Sequence, residues 1–87
     1  MSTGDSGVRA VVEVVARALT TRPDEVKVTE SQHQGKTLVE LVVAPGELGR
    51  VIGKQGRTAA ALRTLAATAG EKEGKTVTLE IRDGTPS

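Results

Sequence analysis

The run Thr37-Leu38-Val39-Glu40-Leu41-Val42-Val43-Ala44 constrains this chain more than any other stretch. It is almost continuously apolar, half β-branched, and stopped by Pro45-Gly46. Such a run predicts a central strand covered on at least one face, so the rest of the chain must supply strand partners and a cover. The partners are legible. Between Glu25 and Ser31, Val26 and Val28 alternate with Lys27 and Thr29. Near the C-terminus Val77, Leu79 and Ile81 alternate with Thr76, Thr78, Glu80 and Arg82. Both patterns predict strands with one buried face. Gln32 to Lys36 contains Gly35 and reads as a turn, which makes the first two strands antiparallel. The third follows a helical crossover and should run parallel to the second, in the right-handed sense.

Helices supply the cover. Val8, Val11, Val12, Val15 and Leu19 fall at helical spacing, with Asp5 or Ser6 as the cap and Thr20-Thr21-Arg22-Pro23 as the stop. A short segment, Leu48 to Ile52, precedes a longer helix with Ala59, Leu62, Leu65, Ala66 and Ala69 on one face and Gly70 at its end. The order is α-β-β-α-α-β. This is an α+β domain in which a mixed three-stranded sheet with helices on one face buries every stripe. The 87 residues suffice for one such domain, placed at 8–83. Residues 1–7 and 84–87 read as short flexible tails.

Composition narrows the function. There is no Phe, Tyr or Trp, so a sheet that stacks bases on aromatic rings is excluded. The absence of cysteine excludes disulfides and Cys-based metal sites and fits a reducing compartment. No apolar run approaches the roughly 20 residues that span a bilayer, and Met1 to Gly7 lacks the features of a signal peptide. The expectation is a cytoplasmic protein with no membrane contact. His33 is the only histidine and falls in the predicted turn, with no carboxylates at metal-ligand spacing. Glu71 and Glu73 read as a solvated surface. With no cysteine and a lone histidine, no nucleophile–base pair can be argued. The reading is of a protein that is not an enzyme and has no cofactor.

Net charge is only +1, but it is segregated. Leu48 to Gly70 carries Arg50, Lys54, Arg57 and Arg63 and no acid, while the rest of the chain holds 8 basic and 11 acidic residues. Within the basic segment lies Gly53-Lys54-Gln55-Gly56. Glycines at both corners permit positive φ and leave no Cβ to block a ligand. Backbone N–H groups opening the following helix favour a phosphate. Lys54 adds a charge at the tip, Gln55 a donor, and Arg50, Arg57 and Arg63 extend the track. A P-loop does not fit: the glycines of Gly49-Arg50-Val51-Ile52-Gly53-Lys54 are one residue too close. Gln55 also stands where Ser or Thr must hold magnesium.

Val51-Ile52-Gly53-Lys54-Gln55-Gly56-Arg57, between an apolar strand and an alanine–leucine helix, strongly resembles the KH-domain signature. An extra helix and strand ahead of the core resemble the type II KH arrangement. The length, Leu62-Arg63-Thr64-Leu65 and Leu79-Glu80-Ile81 are similar to the small bacterial KhpA family. The resemblance covers Val8 to Asp83. It implies a clamp on about four single-stranded nucleotides, with Gly53, Lys54, Gln55 and Gly56 holding the backbone. Ile52, Ala59 and Ala60 are then candidates for the adjoining wall. Val39, Leu41 and Val43 read as core, with residues near that strand's end as candidates for the far wall. Thr58 and Ala60 depart from the family pattern, where a larger apolar residue and often a lysine are expected; this bears on the depth and charge of the groove. The implied function is single-stranded RNA binding as an RNA chaperone or post-transcriptional regulator. The alternative is an interaction module that forms a homodimer or partners a larger KhpB-like KH protein, for which Leu38 and Val42 on the uncovered sheet face are the candidate surface.

Overall fold

The computed structural model describes residues 7–84. The candidate caps Asp5 and Ser6 and most of the two expected tails lie outside that range. The elements are α1 (Gly7–Leu19), β1 (Lys27–His33), β2 (Lys36–Val43), α2 (Leu48–Ile52), α3 (Arg57–Lys72) and β3 (Val77–Asp83), with single 3₁₀ turns at Pro23–Glu25 and Lys54–Gly56. The sheet order is β1-β2-β3. β1 and β2 are antiparallel, with Val28 opposite Leu41, and β2 and β3 are parallel, with Leu41 opposite Ile81. The strand directions and the three helices packed on one face agree with the sequence reading.

Alternation decides what is buried. On β2, Thr37, Val39, Leu41 and Val43 face the helices and are 2% exposed or less, while Leu38, Glu40 and Val42 lie on the open face and are half-buried. Val8, Val12 and Ala16 of α1 and Leu62 and Ala66 of α3 close over them. Truncating a fully buried leucine such as Leu41 or Leu62 to alanine is expected to cost about 2–5 kcal/mol. The small residues Ala16, Ala66 and Gly70 let α1 and α3 sit close to each other and to the sheet.

Five local readings are corrected. The first turn is two residues, not five. Gln34 and Gly35 both have positive φ (53° and 79°), a primed hairpin turn that keeps Gln32 and His33 paired with Thr37 and Lys36. β1 starts later than expected because Pro23 opens a 3₁₀ turn through Glu25. Leu65 is 46% exposed, since the buried stripe of α3 is Ala59, Leu62, Ala66 and Gly70.

Gly70 does not end α3. It is buried within the helix, where a Cβ would collide with the Val77 side chain and approach the Lys75 carbonyl at 3.2 Å. The helix stops two residues later, at Lys72, in a Schellman arrangement. Gly74 has φ +70°, the Lys75 N–H donates to Gly70 O at 2.8 Å, and the Gly74 N–H donates to Glu71 O at 3.1 Å. Glu73 is likewise no solvated bystander. It accepts the Gly7 N–H at 2.7 Å and lies 3.1 Å from Lys75 Nζ, which also reaches Glu30 at 3.0 Å.

Candidate nucleic-acid interface

The glycine-cornered turn projects at the junction of α2 and α3. Lys54 and Gln55 are exposed, and Gly53 and Gly56 are half-buried. Gly53 adopts φ 76° and ψ 175°, a region open almost only to glycine. Its missing Cβ matters as well: one would collide with the Thr58 hydroxyl and come within 2.6 Å of the Thr58 Cβ. Gln55 and Gly56 are left-handed, at φ 57° and 72°. A non-glycine residue held there at the tip is locally unfavourable.

The expectation that these amides stand open is corrected in part. The Gly53 N–H donates to Gly49 O at 2.9 Å, the Gly56 N–H to Gly53 O at 3.2 Å, and the Arg57 N–H to Lys54 O. Those three groups hold the turn together. What faces outward is the Lys54 and Gln55 side chains and the start of α3. No side chain caps that helix, and its first turn contains no acid. Arg57 stands there, exposed, at the positive end of the helix dipole. This is the reverse of what helix stability favours, by about 0.3–1 kcal/mol, and it suits an anionic ligand.

A shallow groove of about 380 Å³ runs between α3 and the edge strand β3, lined by Arg63, Thr64, Ala67, Val77, Thr78 and Leu79. Arg63 is on its wall. Ala60 is exposed and Ile52 half-buried, but Ala59 is 3% exposed and faces inward, so it offers no wall. The side of this groove opposite α3 is β3, and no residue of β2 lines it. Thr64, Ala67 and Thr78 were missed. Their signal is the i, i+3 or i+4 spacing from Ala60 and Arg63 along α3, set beside a strand with one unpaired edge.

Arg50 is the site residue whose surroundings differ most from expectation. Its Nε lies 3.5 Å from Glu47 Oε2, so an acid stands at the root of the basic segment. Glu47 itself is buried; it accepts the Thr20 hydroxyl at 2.6 Å, the Thr21 N–H at 2.6 Å and the Thr21 hydroxyl at 2.8 Å. These donors, the Thr20 hydroxyl first, hold its carboxyl down to about 2. His33 is exposed at the end of β1, opposite Lys36, and no cluster of potential metal ligands occurs among the described residues.

A family model described as KhpA/KhpB, KH domain, matches residues 9–81. The chain is similar to the RNA-binding protein KhpA of Aquifex aeolicus, 49% identical over 76 residues, covering 87% of this chain and 96% of the relative. It is also similar to the protein of that name in Caldanaerobacter subterraneus, 48% identical over 82% of this chain and 95% of the relative, and to that of Treponema pallidum, at 44% over 84% and 91%. Among solved structures, it matches the crystal structure of Era in complex with MgGDPNP and nucleotides 1506–1542 of 16S ribosomal RNA. The TM-score is 0.60 and the identity 22%, over 87% of this chain and 29% of that one, a likeness of fold.

Proposed function

This chain belongs to the KhpA/KhpB family of KH domains, and we propose that it binds single-stranded RNA by gripping the backbone at Gly53-Lys54-Gln55-Gly56. In this reading residues 8–83 work as one KH domain. The observation that carries it is the meeting of an exposed, glycine-cornered turn with an uncapped helix start and a groove leading away along α3 and β3. A phosphate placed at the turn meets Lys54, Gln55, Arg57 and the positive end of α3, and the following nucleotides lie along Arg63, Thr64 and Thr78. That the relatives are named RNA-binding proteins supports RNA as the ligand.

The groove has no aromatic platform, so bases gain none of the about 1–3 kcal/mol that stacking supplies. The grip is therefore sequence-tolerant and weak per domain, as an RNA chaperone or post-transcriptional regulator in the cytoplasm requires. Its work is binding, not catalysis. The test is Lys54→Asp with Gln55→Asp, assayed by gel shift with circular dichroism as the folding control. Loss of binding with the fold retained is expected; a folded double variant that shifts RNA normally rules the clamp out.

A second reading, as an interaction module for a second copy or a larger KhpB-like KH protein, is favoured by one observation. Ala10, Val11, Val14 and Val15 form an apolar patch on α1, with Val14 68% exposed. The open sheet face at Leu38 and Val42 is less suited: both are half-buried and flanked by Lys27, Glu40 and Arg82. Light scattering on Val14→Lys separates the two readings. An unchanged mass with RNA binding intact removes this one.

A further inference from the structure

Glu47 is a buried acid beside a segment that otherwise carries only positive charge. Its two oxygens have different partners. Oε1 accepts the Thr20 hydroxyl, the Thr21 N–H and the Thr21 hydroxyl, which fixes the carboxylate against the chain leaving α1. Oε2 is turned to Arg50, 3.5 Å from its Nε. The Glu47 side chain is 11% exposed and that of Arg50 57% exposed, so a fixed negative charge faces a mobile positive one. Arg50 belongs to α2, whose backbone continues directly into the turn, with the Gly53 N–H bonded to Gly49 O.

We infer that Glu47 is a positioning residue for the RNA backbone, acting through Arg50. The inference rests on reading the glycine turn as the backbone site. A guanidinium whose Nε side faces Glu47 has both terminal nitrogens left to fork a phosphate, and drawing the side chain to that side beforehand removes part of the rotamer entropy lost on binding. The role is separable from a purely structural one by sign. An acid near an anionic ligand repels it, so removing its charge tightens binding unless the acid also orients a cation that binding needs.

The experiment uses the full chain and a fluorescent single-stranded oligouridine, read by anisotropy across a salt series, with thermal unfolding as the control. Glu47→Gln retains an oxygen for the threonines and loses the charge facing Arg50. It is expected to weaken binding by roughly fivefold, the ratio for about 1 kcal/mol, although the protein becomes more positive. In an Arg50→Ala background the same substitution is expected to change nothing further. Arg50→Lys, which keeps the charge without the fork, is expected to lose a similar factor and decides the matter if Glu47→Gln does not fold. Equal or tighter binding by folded Glu47→Gln, losses that simply add in the double variant, or full binding by Arg50→Lys would each overturn the inference. Normal binding by Lys54→Asp with Gln55→Asp instead overturns the backbone-site reading beneath it, and no binding by the wild-type chain overturns both.

Discussion

Thr58 stands over Gly53, with its Cβ 2.6 Å from where a Cβ on that glycine would lie. The two glycines of the turn therefore do different jobs. Gly56 has φ 72° and nothing within 4 Å of its would-be Cβ, so only its backbone conformation demands glycine. Gly53 combines a nearly glycine-only conformation with a steric need.

Gly56→Ala is expected to cost about 1–2 kcal/mol, the penalty for a left-handed residue with a Cβ. Gly53→Ala adds overpacking of about 1–3 kcal/mol to a backbone penalty of similar size. Urea unfolding of the two variants measures the difference directly. Equal losses would show that Thr58 moves aside freely.

Gly70 and Val77 make a second such pair, between the last turn of α3 and the start of β3. Alanine is a better helix former than glycine by about 1 kcal/mol, so Gly70→Ala should stabilise the protein on propensity alone. The buried contact with Val77 opposes this, because a new methyl there is overpacked by about 1–3 kcal/mol. A net loss is expected, smaller in a Val77→Ala background, where the obstruction is gone. Thermal unfolding of the four chains gives the coupling; a stabilised Gly70→Ala single variant would contradict it.

The same pair shows why some features could be read from sequence and others could not. Val28, Val39, Leu41 and Leu79 were legible as core because a period of two admits one inward face, and a helical crossover between β2 and β3 admits one strand direction. A glycine near a helix end has two uses, as a cap or as a close packing contact, and only the position of Val77 separates them. At the site, the turn was legible through its glycines and basic neighbours. The taken-up amides of Gly53, Gly56 and Arg57 were not, because their acceptors depend on how sharply the chain folds. Glu47 was invisible as a partner of Arg50, since its role depends on Thr20 and Thr21, 27 and 26 residues away.

The Glu47 carboxyl gives a prediction in pH. Three donors, led by the Thr20 hydroxyl and the Thr21 N–H, lower it from the ordinary 4.5 to about 2, with Arg50 adding a smaller effect. A depressed acid contributes stability that is fully present above its unfolded value, near 4.5, and disappears as pH falls toward 2. Glu47→Gln is expected to be less stable at neutral pH and to lose less on acidification through that window. Lys75 acts at the other end: Glu30 and then Glu73 raise it above the usual 10.5, so its contribution is complete below that value and lost above it. Urea midpoints across pH test both. An unchanged acid limb in Glu47→Gln would place the titration elsewhere.

Salt dependence discriminates a backbone grip from contacts with bases. Lys54, Arg57 and the start of α3 can neutralise about three phosphates, which for a single strand predicts log K falling with log salt at a slope of roughly −2. Lys54→Ala is expected to make that slope shallower by about 0.7, one phosphate's worth, and to weaken binding evenly across oligonucleotide sequences. Arg63→Gln, which removes a charge lining the groove, is expected to make the slope shallower in the same way, whereas Thr64→Val, also lining it, removes a hydroxyl and no charge and is expected to leave the slope alone. A slope near zero in the wild type, or one that Lys54→Ala leaves unchanged, would mean that the strand is held by something other than its phosphates.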